Sequence, residues 1–201
     1  QSHITVGDAG RYTVTITNAN QCLNVYSSEV TVHELPMVTI TGNNEICQGQ
    51  SALLTASGDD ASQYVWSTGD HNAVTTVSTS GQVSVTATNG YGCSASASRG
   101  VVVHELPVPQ ISGNLTICKG SSITLTAIGG SSYRWDTDDS TNSIIVSTMS
   151  NHSYVVTATN IYGCVASTAA TVAVNELPEI TLSGNRTICA GTSTTITASG
   201  A

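Results

Sequence analysis

The chain has 201 residues, of which 9% are charged, with a formal net charge of −8, six cysteines and no phenylalanine. Its basic residues, Arg11, Arg99, Lys119, Arg134 and Arg186, are scattered, which excludes the clustered Lys and Arg of a nucleic-acid groove. No run of about 18 apolar residues exists, so no helical membrane span is expected in this segment.

Read in chain order, residues 1–36 hold the stretch DAGRYTV (8–14), the string NANQC ending at Cys22, and HELP at 33–36. Strands are then predicted at 37–41, 51–57 (SALLTAS), 64–67 (YVWS), 73–79, 82–89 (QVSVTATN) and 94–105. A loop is predicted through Cys47 and a turn at Ser80-Gly81. Each run is short, alternates, and is bounded by Gly, Asn, Asp or Ser clusters, as in a β-sandwich. HELP returns at 104–107, and a second series follows: SSITLTA (121–127), YRW (133–135), SIIVS (143–147), YVVTATN (154–160) and VASTAATVAV (165–174). NELP stands at 175–178. Thr, Ser and Val are abundant and suit strands, and no segment is left for a helix.

The similarity has a fixed step. EICQGQ, TICKGS and TICAGT begin at Glu45, Thr116 and Thr187, while NANQC, NGYGC and NIYGC end at Cys22, Cys93 and Cys164, each series stepping by 71 residues. All six cysteines lie in these two series. Such self-similarity marks a repeat array. The expected division is a C-terminal half repeat at 1–36, complete repeats at 37–107 and 108–178, and an N-terminal half repeat at 179–201. Neither half has the apolar residues for its own core, so the polypeptide is expected to continue at both ends. Domains this small bury a limited share of their surface and lean on cross-links or neighbours.

Three features carry a resemblance to the immunoglobulin superfamily. LTASG resembles the second strand of such domains, Trp66 and Trp135 resemble the buried Trp of their third strand, and DAGRYTV resembles the turn before their sixth strand. The resemblance implies a core of Leu54, Trp66 and Val85 in one repeat and Leu125, Trp135 and Val156 in the next, with Leu and Val where antibody domains place a cysteine pair. Tyr12 and Tyr154 become corner tyrosines, with Val83 at that position in the middle repeat. The fold class is therefore all-β, tandem Ig-like β-sandwich domains with a repeat of about 71 residues. Over its whole length the chain also resembles tandem Ig-like repeats of very large surface proteins of Bacteroidota. The pattern IC-x-G, LTA-x-G, Y-x-W, VTATN-x-YGC and V-x-V-x-ELP carries this. Those proteins are gliding adhesins and secreted filaments, usually exported by the type IX system.

Cysteines in such series predict disulfides and an oxidising compartment. Zinc is the weaker reading, because close C-x2-C pairs are missing. Two pairings stand open: Cys47 with Cys93 and Cys118 with Cys164 inside repeats, or Cys47 with Cys164 between repeats. In an Ig-like topology Cys47 lies about 20 Å below Leu54 at ~3.3 Å per residue, at the opposite end of the sandwich from Cys93. A disulfide needs Cα atoms within about 7 Å. The end of one sandwich faces the opposite end of the next, so the preferred pair is Cys47–Cys164. Cys22, Cys93, Cys118 and Cys189 would then find partners outside the chain.

HELP joins the last strand of one repeat to the first of the next. Pro36, Pro107 and Pro178 fix φ and extend the preceding residue, and no Gly or Ser run softens the joint. Glu34, Glu105 and Glu176 are read as linker residues that hydrogen-bond to the next repeat's loops; calcium between domains is the alternative, without a dense acidic loop to support it. No cofactor is expected. His33 and His104 give way to Asn175 and are read as exposed strand-end residues. Asp136, Asp138 and Asp139 form a second calcium candidate, read first as a turn. Asn114, Asn151 and Asn185 sit in N-x-S/T triplets, and Asp139-Ser140-Thr141 resembles an O-glycan acceptor found in Bacteroidota.

No Ser-His-Asp set or carboxylate pair recurs, so no enzyme is expected. The expected function is structural, a segment of a long extracellular filament or adhesin stalk at the cell surface. Its partners would be neighbouring repeats and further copies in a homo-oligomeric filament or bundle. The alternative is a glycan- or surface-binding module using Tyr91 and Tyr162.

Overall fold

The computed structural model describes residues 3–200 and divides the chain into two compact units, 1–103 and 104–201. The first unit opens with a hairpin of β1 (Gly10–Thr17) and β2 (Leu23–Val30). It continues through β3 (Val38–Thr41), β4 (Glu45–Cys47), β5 (Ala52–Gly58), β6 (Ala61–Trp66), β7 (Val74–Val77), β8 (Gly81–Asn89) and β9 (Ser94–His104). The second unit holds β10 (Gln110–Ser112), β11 (Thr116–Cys118), β12 (Ser122–Ile128), β13 (Ser132–Trp135), β14 (Ser143–Ser147), β15 (His152–Thr159) and β16 (Val165–Asn175). It closes with the pair β17 (Thr181–Ser183) and β18 (Thr197–Ser199). Every described element is a strand.

Each unit contains one two-sheet sandwich with the same strand order. In the first, a three-stranded sheet β3-β5-β7 faces a four-stranded sheet β4-β9-β8-β6. In the second, β10-β12-β14 faces β11-β16-β15-β13. The chain switches sheets between β3 and β4, and β7 pairs with β5 in the three-stranded sheet, as β14 pairs with β12 in the second unit. That is an Ig-like sandwich of seven strands.

The alternation of each strand decides the core. In β8, Val83, Val85 and Ala87 face inward between half-exposed neighbours. Leu54, Trp66 and Val85 sit in one buried cluster with Ile46 and Val101. Leu125, Trp135 and Val156 sit in the other, with Ile117 and Val172. Each Trp keeps its indole N–H satisfied, Trp66 Nε1 on the Asn72 carbonyl at 2.8 Å and Trp135 Nε1 on the Thr141 carbonyl at 3.0 Å. A buried Trp without that bond would leave a costly orphan donor. Tyr12 donates its hydroxyl to the Asp8 carbonyl at 2.9 Å, the bond of a tyrosine corner, and Tyr154 is buried in the second core.

The outer faces are held by hydroxyl pairs across the ladders. Thr86 meets Ser96 at 2.9 Å, Thr88 meets Ser94 at 2.8 Å, Thr157 meets Ser167 at 2.8 Å and Thr39 meets Ser57 at 2.7 Å.

The segment read as loop through Cys47 contains β4, and its counterpart β11 runs parallel to β16. Only three residues long, it has too few positions to show alternation, and its partner lies more than fifty residues away. Gly113, just before β11, has φ +142 and brings its Cα against the Thr124 carbonyl; a Cβ there would stand 2.6 Å from that oxygen. Gly42 repeats this in the first sandwich at φ +125. Here the chain leaves one sheet for the other, and only glycine lets the two backbones approach.

Candidate functional site

The feature that recurs with the most chemistry is the joint, where a linker meets the hairpin between the last two strands of a sandwich. That hairpin is built by its first residue. In the middle repeat the Asn89 amide donates to the Cys93 carbonyl at 3.0 Å and the Gly92 amide to the Asn89 carbonyl at 3.1 Å. Gly92 sits at φ 83 and Gly163 at φ 81, the left-handed position of a three-residue hairpin loop. The Asn89 side-chain carbonyl accepts the amides of Tyr91 and Cys93 at 3.1 and 3.0 Å. Asn160 does the same for Tyr162 and Cys164, both at 3.0 Å, and Asn18 for Asn20 and Cys22 at 2.9 and 3.0 Å.

The other end of the same side chain holds the linker. Asn89 Nδ2 donates to the Glu34 carbonyl at 3.1 Å, and Asn160 Nδ2 to the Glu105 carbonyl at 2.8 Å. The expected hydrogen bond from the linker glutamates to the loops is thus made by their main chains. Glu176 uses its carboxylate on Lys119 at 3.0 Å, an exposed pair. Pro36 and Pro107 are buried, while Pro178, in the last linker, is exposed.

His33 and His104 are not bare strand ends. The His33 ring stacks on Tyr91 with centroids 3.6 Å apart and planes 8° from parallel, and His104 stacks on Tyr162 at 3.7 Å and 12°. His33 is nonetheless exposed and His104 ends β9, as expected; what the sequence does not reveal is the stack, which spans 58 residues in each case. The Cys93 thiol adds a contact, donating to the His33 carbonyl at 3.8 Å. So one hairpin grips one linker through an amide, an aromatic ring and a thiol.

The sulfurs differ in state. Cys47, which ends β4, and Cys164, which ends the hairpin of the second sandwich, are disulfide-bonded. Cys22, Cys93, Cys118 and Cys189 are free thiols.

No family model matches this chain, and no curated protein does. Among solved structures it is similar to murine CEACAM1b, at 13% identity and a TM-score of 0.35, covering 70% of this chain and 100% of that one. It is similar to a Ca2+-stabilized adhesin with which an Antarctic bacterium binds ice, at 14% identity and a TM-score of 0.45, covering 88% of this chain and 59% of that one. A third is the N-terminal eight Ig domains of Down Syndrome Cell Adhesion Molecule, at 16% identity and a TM-score of 0.36, covering 89% and 28%.

The remaining candidate residues fall into turns. Asp138, at φ 69, takes the left-handed place that Gly69 holds in the first sandwich, and it pairs with Arg134 at 2.7 Å. Asp139 accepts the Thr137 hydroxyl at 2.8 Å, as Asp70 accepts that of Thr68 at 3.1 Å. Among the described residues no three of His, Cys, Asp and Glu converge on one point that could hold a metal. Asn114 and Asn185 accept the amides of Thr116 and Thr187, both at 3.1 Å, and Asn151 accepts that of Val174 at 2.8 Å. The asparagine of the hairpin was the residue missed by the sequence reading. It stands four places before the cysteine in all three copies, and that spacing was the available signal.

Proposed function

We propose that this chain is a structural repeat segment of a long extracellular filament or adhesin stalk, built of Ig-like sandwiches and stiffened by disulfides and short Pro-containing joints. The observation that carries the reading is the doubled clamp: Asn89 and Tyr91 on one linker, Asn160 and Tyr162 on the next, with matching partners. A linker bonded to its neighbour through backbone, ring and buried proline has little freedom to swivel. The proposed division of the chain is the one given by the 71-residue period, with half repeats flanking two complete ones.

The preferred staple, Cys47 to Cys164, belongs to the same proposal. Both residues carry disulfide-bonded sulfurs and stand in consecutive repeats. A covalent tie would restrict bending at the joint that the clamp alone would allow, and it suits an oxidising, extracellular compartment. The likeness of the sequence pattern to Bacteroidota surface repeats supports export to the cell surface by the type IX route. No catalytic role and no cofactor enter this reading. Against a glycan-binding role, one face of each candidate tyrosine is occupied by a histidine.

Non-reducing proteolysis with mass spectrometry tests the staple. A peptide linking Cys47 to Cys164 is expected, and one linking Cys47 to Cys93 would overturn it. Small-angle scattering before and after reduction tests the mechanics: reduction should broaden the distribution of end-to-end distances, and an unchanged profile would remove the staple from the account of stiffness.

A further inference from the structure

The asparagine that builds each hairpin is followed by a different residue in each copy: Ala19 after Asn18, Gly90 after Asn89 and Ile161 after Asn160. Nothing in the fold requires the glycine. Gly90 does not take the left-handed backbone that Gly92 takes two places on, and a Cβ built on it would meet no atom within 4 Å. What glycine alone supplies is access. With no Cβ beside it, the Gly90 backbone nitrogen can approach the side-chain carbonyl carbon, Cγ, of the asparagine before it. A β-branched neighbour such as Ile161 hinders the same approach. No other asparagine of the chain precedes a glycine.

The same asparagine is held at both ends. Asn89 Oδ1 accepts the Tyr91 and Cys93 amides at 3.1 and 3.0 Å, and Nδ2 donates to the Glu34 carbonyl at 3.1 Å. The residue is buried, and its backbone amide stays in the ladder on the Cys93 carbonyl at 3.0 Å. The linker that offers the Glu34 carbonyl is itself pinned one residue earlier, by the stack of His33 on Tyr91. For the Gly90 nitrogen to attack Cγ, the side-chain amide must turn off these partners, and its nitrogen must leave Glu34.

We propose that Asn89 is a self-modification site guarded by the linker, and that its conversion opens this joint permanently. The Gly90 nitrogen gives its proton to hydroxide and attacks Asn89 Cγ. The new carbon–nitrogen bond closes a cyclic imide, and the Cγ–Nδ2 bond breaks with release of ammonia. Water then adds to either imide carbonyl. Opening at Cγ leaves aspartate, and opening at the main-chain carbonyl leaves isoaspartate, with the chain running through the former side chain. One water is consumed, one ammonia is released, and nothing is oxidised or reduced. In both products the donor to the Glu34 carbonyl is gone and a carboxylate takes its place. A pull that lifts the linker exposes the site, so an opening that lasts becomes irreversible. The second joint, with Ile161 after its asparagine, keeps its clamp. Three hydrogen bonds of ordinary net strength favour the held side chain on the order of 100-fold, and conversion in the folded chain should be slowed by about that factor. The inference uses neither the disulfide nor the filament reading.

The test ages the 201-residue chain at mildly alkaline pH, native and in urea, and follows each asparagine by peptide mass spectrometry, with electron-transfer fragmentation to tell aspartate from isoaspartate. In urea Asn89 should convert first. Gly90→Ile, which copies the second sandwich, and Gly90→Ala, which copies the first hairpin, should both remove that lead. In the native chain conversion at Asn89 should slow by the factor above, and His33→Ala, which strips the stack from the linker, should speed it several-fold at an unchanged melting temperature of the sandwich. In aged native protein the ring-current shift of His33 over Tyr91 should collapse in step with conversion, while that of His104 over Tyr162 stays. Conversion at Asn18 or Asn160 as fast as at Asn89 overturns the inference. So do equal rates in native and unfolded chains, a rate untouched by His33→Ala, or a His33 signal that survives conversion.

Discussion

Replacing Asn89 by alanine asks how much one amide contributes to a joint. The side chain makes three hydrogen bonds, two from hairpin amides and one to the linker carbonyl, and only 7% of the residue is exposed. At roughly 1 kcal/mol net for each bond, the loss is about 3 kcal/mol, and the Cys93 amide and Glu34 carbonyl are left to find water in a half-buried site. A domain of this size shifts its melting temperature by about 4–8 °C for each kcal/mol, so calorimetry should see a large drop in the first sandwich and little in the second. Asn89→Asp separates the parts. It keeps the acceptor for both hairpin amides and turns the donor to Glu34 into an anion facing a carbonyl. Hydrogen exchange should then stay slow at the Tyr91 and Cys93 amides while the linker loosens. Asn18→Ala, which removes the hairpin bonds alone from an exposed site, should cost about 1–2 kcal/mol or less in its own hairpin. If Asn89→Ala lowered stability by less than about 0.5 kcal/mol, or if Asn89→Asp released the hairpin and the linker together, the account of Asn89 as a two-ended clamp would be wrong.

Two further substitutions probe the sandwiches themselves. Gly113→Ala meets a backbone oxygen at 2.6 Å from a φ of +142, so it should destabilise the second sandwich by well over the ~1 kcal/mol of an ordinary left-handed residue; Gly49→Ala, at φ +85 with open space around it, should cost only about that much in chemical denaturation. Thr75 is buried and hydrogen-bonded to Asp70 and Thr68, and Ile144 fills its place in the other sandwich. Thr75→Ile should therefore hold stability within about 1 kcal/mol, because both freed partners are exposed and can hydrate, and a loss of several kcal/mol would show that the polar network carries the site.

Much of this architecture can be read from the one-dimensional pattern because each motif recurs three times and the copies check one another. Alternation in QVSVTATN places Val83 and Val85 on one face, and the same face recurs at Tyr154 and Val156. What the pattern hides is pairing between distant segments. The three residues of β4 are too few to alternate, and their partner strand is set only by the sheet switch after Gly42. The joint was partly legible: the prolines and glutamates mark it, yet the cysteines drew the eye from the asparagine that organises the hairpin. The stack of His33 on Tyr91 could not be inferred from periodicity, since it depends on which end of the sandwich the linker crosses.

The paired hydroxyls on the outer faces bear on where such a chain can work. Thr86 with Ser96 and Thr157 with Ser167 bind across their ladders without formal charge, in a protein with only 9% charged residues. Dissolved ions screen carboxylates and ammonium groups over roughly 10 Å at 0.1 M, but they find little to weaken in a lattice of neutral dipoles. Cohesion of this kind persists from fresh water to brine, and through the mild swings of acidity that would loosen a surface stitched together by ion pairs.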